Sequence, residues 1–269
     1  MSTEAFKYCR FERDGAIATI TINRPEVLNA LHPEGHYELA HAFDVYATDP
    51  DLRVAIITGA GDRAFCVGTD LKALAATQNH DKPPTGFAGI TMRYDLWKPV
   101  IAAVNGLCLG GGVEILAACD LALAADHAEF GLTEPRVGLA ALGGGALQRL
   151  ARDLPLKHAM WLILTARRVS AVQARNMALV NDVVPAAELM PRARALANEL
   201  LACAPLSLQA SKQVMLQSLD EPDLASAMNK RYSAAERMLA RGCHRRSEGV
   251  CREAQARMEG ALSRTSDRK

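Results

Sequence analysis

The run "KPVIAAVNGLCLGGGVEILAACDLALAAD", Lys98–Asp126, contains the alternation that decides the fold. "PVIAAVNG" is a short apolar run with turn residues at its end, as a buried strand requires. "GGVEILAAC" then has the length and pattern of a short helix, and "DLALAAD" returns to a strand. Strand, helix and strand in so short a stretch imply β–α units and a mainly parallel sheet.

The same grammar extends outward. "YCRFERDGAIATITINRP" alternates around Asp14-Gly15, a hairpin signal, and Pro25 closes it. "EGHYELAHAFDVYATDP" sets Tyr37, Leu39, Ala40, Phe43, Val45 and Tyr46 at helical spacing and stops at Asp49-Pro50, after which "RVAIITGAG" predicts a strand. Beyond about Arg149 the pattern changes. "LKHAMWLILTA", "SAVQARNMA", "ELMPRARALANELLAC", "LSLQASKQVMLQSL" and "DLASAMNKRYSAAERMLARG" all have helical period, interrupted by the short "LVNDVV". The fold class is therefore α/β with a helical, more charged C-terminal third. "NHDKPPTGFAG", Asn79–Gly89, is expected to form a mobile loop, and Met160, Trp161 and Leu162 are expected in the core.

Composition excludes several classes. The 269 residues are 49% hydrophobic, enough to bury a large core. A net charge of +1 provides no global field for nucleic acid or an anionic membrane. The 7 cysteines are odd in number and never spaced C-x-x-C, which argues against a disulfide framework or a zinc site and for reduced thiols in the cytoplasm. No run is long and apolar enough to span a bilayer. His32 and His36 lie four apart without a third ligand and are expected at the surface, so no metal site is expected.

Three consecutive glycines at a helix start expose backbone N–H groups that a ligand oxygen can approach closely. Such groups suit a phosphate or a developing oxyanion. A phosphate loop lacks its G-x-x-x-x-G-K-[ST] pattern, and "GAGDRA", a relaxed dinucleotide fingerprint, runs on into "FCVGTD" where a helix should open. Glu114, in the first turn of the glycine-opened helix, either complements the helix dipole or acts on whatever those N–H groups hold. Glu134, in the loop "FGLTEPRVGL", reads better by itself as a surface-loop residue than as a catalyst. Asp70 reads as a helix N-cap.

"NRPEVLNAL" (Asn23–Leu31), "AFCVGTDLKAL" (Ala64–Leu74), "KPVIAAVNGLCLGGGVEILAACDLALAA" (Lys98–Ala125), "AEFGLTEPRVGL" (Ala128–Leu139) and "LTARRVSAVQARNMALVNDVVP" (Leu164–Pro185) resemble, in order and spacing, the enoyl-CoA hydratase/isomerase or crotonase superfamily. The resemblance runs from about Phe11 to about Gly249. It implies a crotonase ββα-spiral core over residues 1–200 and a C-terminal helical trimerisation region over residues 201–269. It further implies an acyl-CoA thioester as substrate, with its carbonyl oxygen held by the N–H groups of Thr69 and Gly111. Glu114 and Glu134, twenty positions apart, would share a catalytic water. Two close carboxyls in a partly dry pocket cannot both ionise easily, so one is expected to serve as acid. Val27, Leu28, Ala64, Cys66 and Gly110 are the implied substrate and CoA contacts, with no cofactor beyond the substrate's own CoA. The implied assembly is a homo-trimer or homo-hexamer.

The implied activity is hydration of a trans-2-enoyl-CoA. Alternatives are an isomerase, a dehydratase of a substituted acyl-CoA such as a carnitinyl thioester, or a non-catalytic acyl-CoA or RNA binding relative. Thr133 and Pro135 around Glu134, and a longer "GLAALGGGALQRL" loop, depart from the common pattern, as does Glu253 where an aromatic is common. Residues from Ala75 to Leu96 are expected to shape the acyl pocket. Arg241, Arg245, Arg246, Arg252 and Arg257 are read as a solvated helix face that could alternatively meet CoA phosphates.

Overall fold

A computed structural model describes residues 6–240 of the chain. The arginines from Arg241 onward, with Glu248, Gly249 and Glu253, lie outside them. Contacts divide the chain into two units, Met1–Cys203 and Ala204–Lys269.

The first unit opens with the expected hairpin, β1 (Cys9–Asp14) and β2 (Ile17–Ile22), paired antiparallel around Gly15 at φ +55°. Helix α1 (Pro33–Thr48) follows, capped by His32, whose Nδ1 accepts the Gly35 N–H at 3.3 Å. Strand β3 (Val54–Gly59), strand β4 (Ala64–Cys66) and helix α2 (Leu71–Thr77) form one ββα turn. Strands β5 (Val100–Val104) and β6 (Leu107–Leu109) with helix α3 (Gly111–Ala118) form the next. Then come β7 (Leu121–Ala125), β8 (Glu129–Gly131), a 3-10 turn over Glu134–Val137, and helices α4 (Ala146–Asp153) and α5 (Leu156–Thr165). Strand β9 (Val169–Ser170), helix α6 (Ala171–Asn176), strand β10 (Asp182–Val184) and helix α7 (Leu189–Leu201) complete the unit.

Each turn thus gives its first strand to one sheet and its second to another. The larger sheet runs β1-β2-β3-β5-β7-β10 and is parallel from β2 onward; the smaller runs β4-β6-β8-β9, with only β8/β9 antiparallel. This is the expected spiral.

Alternation within the strands feeds two cores, because successive side chains leave opposite faces. Val54, Ile56, Ile101, Ala103 and Leu123 pack toward Leu189, Ala193 and Ala197 of α7, while Ala55, Ile57, Ala102, Val104 and Ala122 join Phe65, Cys108 and Phe130 in the main core. Burial on both faces is why the strands read as continuous apolar runs. Cys9, Cys66 and Cys108 pack there as small hydrophobes.

The second unit holds α8 (Pro205–Ser218), α9 (Leu224–Asn229) and α10 (Ser233–Ala240). The segment 224–240 is two helices, broken over residues 230–232. Gln213 of α8 ties α8 to the start of α10, donating to Ser233 Oγ at 3.1 Å and accepting the Ala234 N–H at 2.6 Å.

Three expectations are corrected. His36 is 2% exposed: its Nδ1 accepts the Ala88 N–H at 3.0 Å, and its ring meets Phe87 edge-on at 4.4 Å. Of the expected core triplet only Leu162 is buried, whereas Met160 and Trp161 are 46% and 40% exposed, because helical period gives a face but not its breadth. In the expected loop, Phe87–Gly89 form a buried 3-10 turn against α1, so only its first part is an exposed segment.

Candidate active site

The β6–α3 junction shows why three glycines stand together. Gly110 adopts φ +54°, and a Cβ there would lie 3.0 Å from Glu134 Oε1. At Gly111 a Cβ would meet the edge of the Phe87 ring at 2.3 Å, and at Gly112 it would strike the Cys66 carbonyl oxygen at 2.1 Å. A side chain at any of the three would push apart the helix start and its neighbours. The helix therefore begins hard against β4, with the Gly111 N–H at its open end.

The strand β4 leads to the second donor. Gly68 takes φ +95°, and its missing Cβ leaves it close to the Gly111 nitrogen, 3.0 Å from where that atom would stand. Thr69 forms a parallel bridge with Leu31, made by Leu31 N–H to Gly68 O and Asp70 N–H to Leu31 O, both 2.8 Å. In that pattern the N–H of Thr69 itself points away from Leu31. Among the described residues, neither it nor the Gly111 N–H has a protein acceptor. Two backbone donors thus face one space with no acceptor among the described residues.

A polar scaffold holds this loop. Asp70 caps α2 by accepting the Ala73 N–H at 3.1 Å and pairs with Arg24 at 3.1 Å. Fully buried Asn29 donates to the carbonyls of Ala60 and Ala64 at 3.0 and 2.7 Å.

That space is a cavity of about 710 Å³ lined by Thr69, Gly110, Gly111, Glu114 and Glu134 together. Glu114 is 3% exposed, and its Oε1 accepts the Gly144 N–H at 2.6 Å. Burial pushes its pKa above the ordinary carboxyl value, opposed by the N–H groups of Gly144 and Ala146 and by the charges of Lys82 and Arg149. Glu134 opens the 3-10 turn after β8, and its Oε2 is buried with no hydrogen-bond partner among the described residues. Its pKa is also raised, first by burial and further by the charge of Glu114, with only its own backbone N–H opposing. Two carboxyls with elevated pKa values face one cavity, and the charges of Lys82 and Arg149 act on Glu114.

The four other implied contacts do not line this cavity. The Ala64 carbonyl is taken by Asn29 and by Asn105 at 3.3 Å; the Cys66 carbonyl is closed against Gly112, and its Sγ accepts the Gly68 N–H at 3.4 Å. Val27 lies in a 3-10 turn, and Leu28 lines a second cavity of about 520 Å³ with Asp62, Arg63 and His127. Sequence reasoning did not single out Lys82, Phe87, Arg136 or Arg168, which do line the first cavity. The expectation that residues 75–96 shape the pocket fits the positions of Lys82 and Phe87. Among the described residues no cluster could hold a metal ion, and no helix is long and apolar enough to cross a membrane.

A family profile described as enoyl-CoA hydratase/isomerase matches residues 12–252. The (E)-benzylidenesuccinyl-CoA hydratase of Thauera aromatica is 44% identical over 214 residues, covering 77% of this chain and 81% of that protein. The carnitinyl-CoA dehydratase of Escherichia coli strain K12 is 43% identical over 212 residues, covering 78% and 80%. Among solved structures, the enoyl-CoA hydratase EchA1 of Mycobacterium marinum superposes with a TM-score of 0.83 at 34% identity, covering 93% of this chain and 96% of that one.

Proposed function

The chain belongs to the enoyl-CoA hydratase/isomerase family, and from that premise we propose that it hydrates the 2,3 double bond of a trans-2-enoyl-CoA without a cofactor beyond the substrate. The observation that carries this is the pair of carboxyls, buried Glu114 and half-buried Glu134, facing one cavity with two backbone donors that have no acceptor among the described residues.

In this scheme the thioester oxygen sits between the N–H groups of Thr69 and Gly111. Charge grows on that oxygen as a nucleophile adds at Cβ, so donors already fixed by the fold favour the enolate over the ground state. Glu114 has Lys82 and Arg149 beside it to favour its ionised form, and it takes a proton from the attacking water. Glu134, which feels the charge of Glu114, carries the proton delivered to Cα. The water's oxygen ends on Cβ and a proton on Cα. Run in reverse, the same groups eliminate water from a 3-hydroxyacyl-CoA, the direction that similarity to a carnitinyl-CoA dehydratase favours.

Loss of the enoyl-thioester absorbance with crotonyl-CoA and longer 2-enoyl-CoAs tests the scheme. Glu114→Gln and Glu134→Gln are each expected to lower kcat by about 10²-fold or more. Full turnover in either variant would sink the two-carboxyl mechanism.

A further inference from the structure

Resting on that hydratase or dehydratase reading, we propose that the pocket selects a thioester whose acyl group carries a second carboxylate, and that Lys82 is the residue that binds it.

Lys82 lines the cavity beside Glu114. Its Nζ lies 3.1 Å, and Glu114 Oε2 3.7 Å, from the one point where a Cβ on Gly143 would stand. The same ammonium sits 5.6 Å from the centroid of the Phe87 ring, whose edge closes on Gly111. With the thioester oxygen at Thr69 and Gly111 and Cβ facing Glu114, Lys82 stands where the acyl group continues past its reacting carbons.

The neighbouring charged groups each have at least one protein partner. Arg136 donates through Nε to the Ala166 carbonyl at 2.8 Å, and Arg168 faces Glu129 at 3.4 Å. Arg149 spans the carbonyls of Gly144 and Thr91 at 2.8 and 2.6 Å. Asp81, the carboxylate next to Lys82 in sequence, accepts the Lys82 backbone N–H at 2.9 Å and the Tyr37 hydroxyl at 3.0 Å. Among the described residues Lys82 forms no ion pair. A purely apolar acyl group laid over Lys82 would strip water from an ammonium that already acts on Glu114, and would return nothing for it. A carboxylate on the acyl group would meet it with a charge-assisted hydrogen bond. A quaternary ammonium there would be repelled.

The experiment compares kcat/KM for three 2-enoyl thioesters: neutral crotonyl-CoA, the 4-carboxybut-2-enoyl thioester and the 4-trimethylammonio analogue. Wild type is expected to prefer the carboxylated one. Lys82→Met is expected to lower the ratio of carboxylated to neutral kcat/KM by about tenfold, chiefly through KM, and Lys82→Arg to restore part of it. An unchanged ratio, or a wild-type preference for the neutral or cationic thioester, overturns the assignment. Binding of saturated analogues, glutaryl-CoA against pentanoyl-CoA, separates the two levels of inference. If wild type turns over no thioester the hydration scheme fails, while a binding preference for glutaryl-CoA that disappears in Lys82→Met still upholds Lys82, and its absence in wild type overturns it. Melting curves confirm that the variants are folded.

Discussion

Glu134 carries a buried oxygen with no partner among the described residues. Burial holds its pKa above the ordinary carboxyl value, so the folded chain keeps a proton that the unfolded chain releases. Below the unfolded carboxyl range both states are protonated and the group costs nothing differential. As pH rises through the folded pKa the folded state loses stability relative to the unfolded one. Glu134→Gln, which cannot ionise, is therefore expected to melt higher than wild type at about pH 8, with the gap shrinking toward about pH 4. Thermal melts at the two pH values check it, and a constant gap would show that ionisation is not the cause. At this scale the two glutamates, Thr69 and the glycines were legible because their residue types and spacing together match a family pattern. Lys82 was not, since a lysine in a polar segment looks like any solvated lysine until Phe87 and Gly143 are seen around it.

The elements bear the weight of the site through close backbone approach. Gly112 lets α3 start against β4, and a Cβ there would stand 2.1 Å from the Cys66 carbonyl oxygen, a group that cannot swing aside. Gly112→Ala is expected to destabilise the protein by about 1–3 kcal/mol and to reduce turnover, because relief of the clash moves the two backbone donors apart. Denaturant midpoints and kcat on the same preparation test this; normal kcat with lowered stability would separate the helix position from the chemistry. Strand and helix existence was legible from period and punctuation, as in β5, α3 and β7. What periodicity could not settle was the breadth of a buried face, hence Met160 and Trp161, or that a loop bearing glycines and prolines can turn its last residues inward, hence Phe87–Gly89.

For the whole molecule, the ββα spiral was legible only through resemblance. Local pattern predicts parallel units but not that consecutive strands divide between two sheets. That division has a kinetic consequence. Thr69 follows β4 and Gly111 follows β6, and these strands become neighbours only through parallel pairing across a long intervening segment. Non-local pairing of this kind is formed slowly, after local helices have formed. On dilution from denaturant the helical circular dichroism signal is expected to return before enoyl turnover does, with activity recovering in the same late phase as strand pairing. Recovery of both in a single step would count against this order. A chain with its helices formed and β4 and β6 still apart has every residue needed for the chemistry and no place in which to perform it.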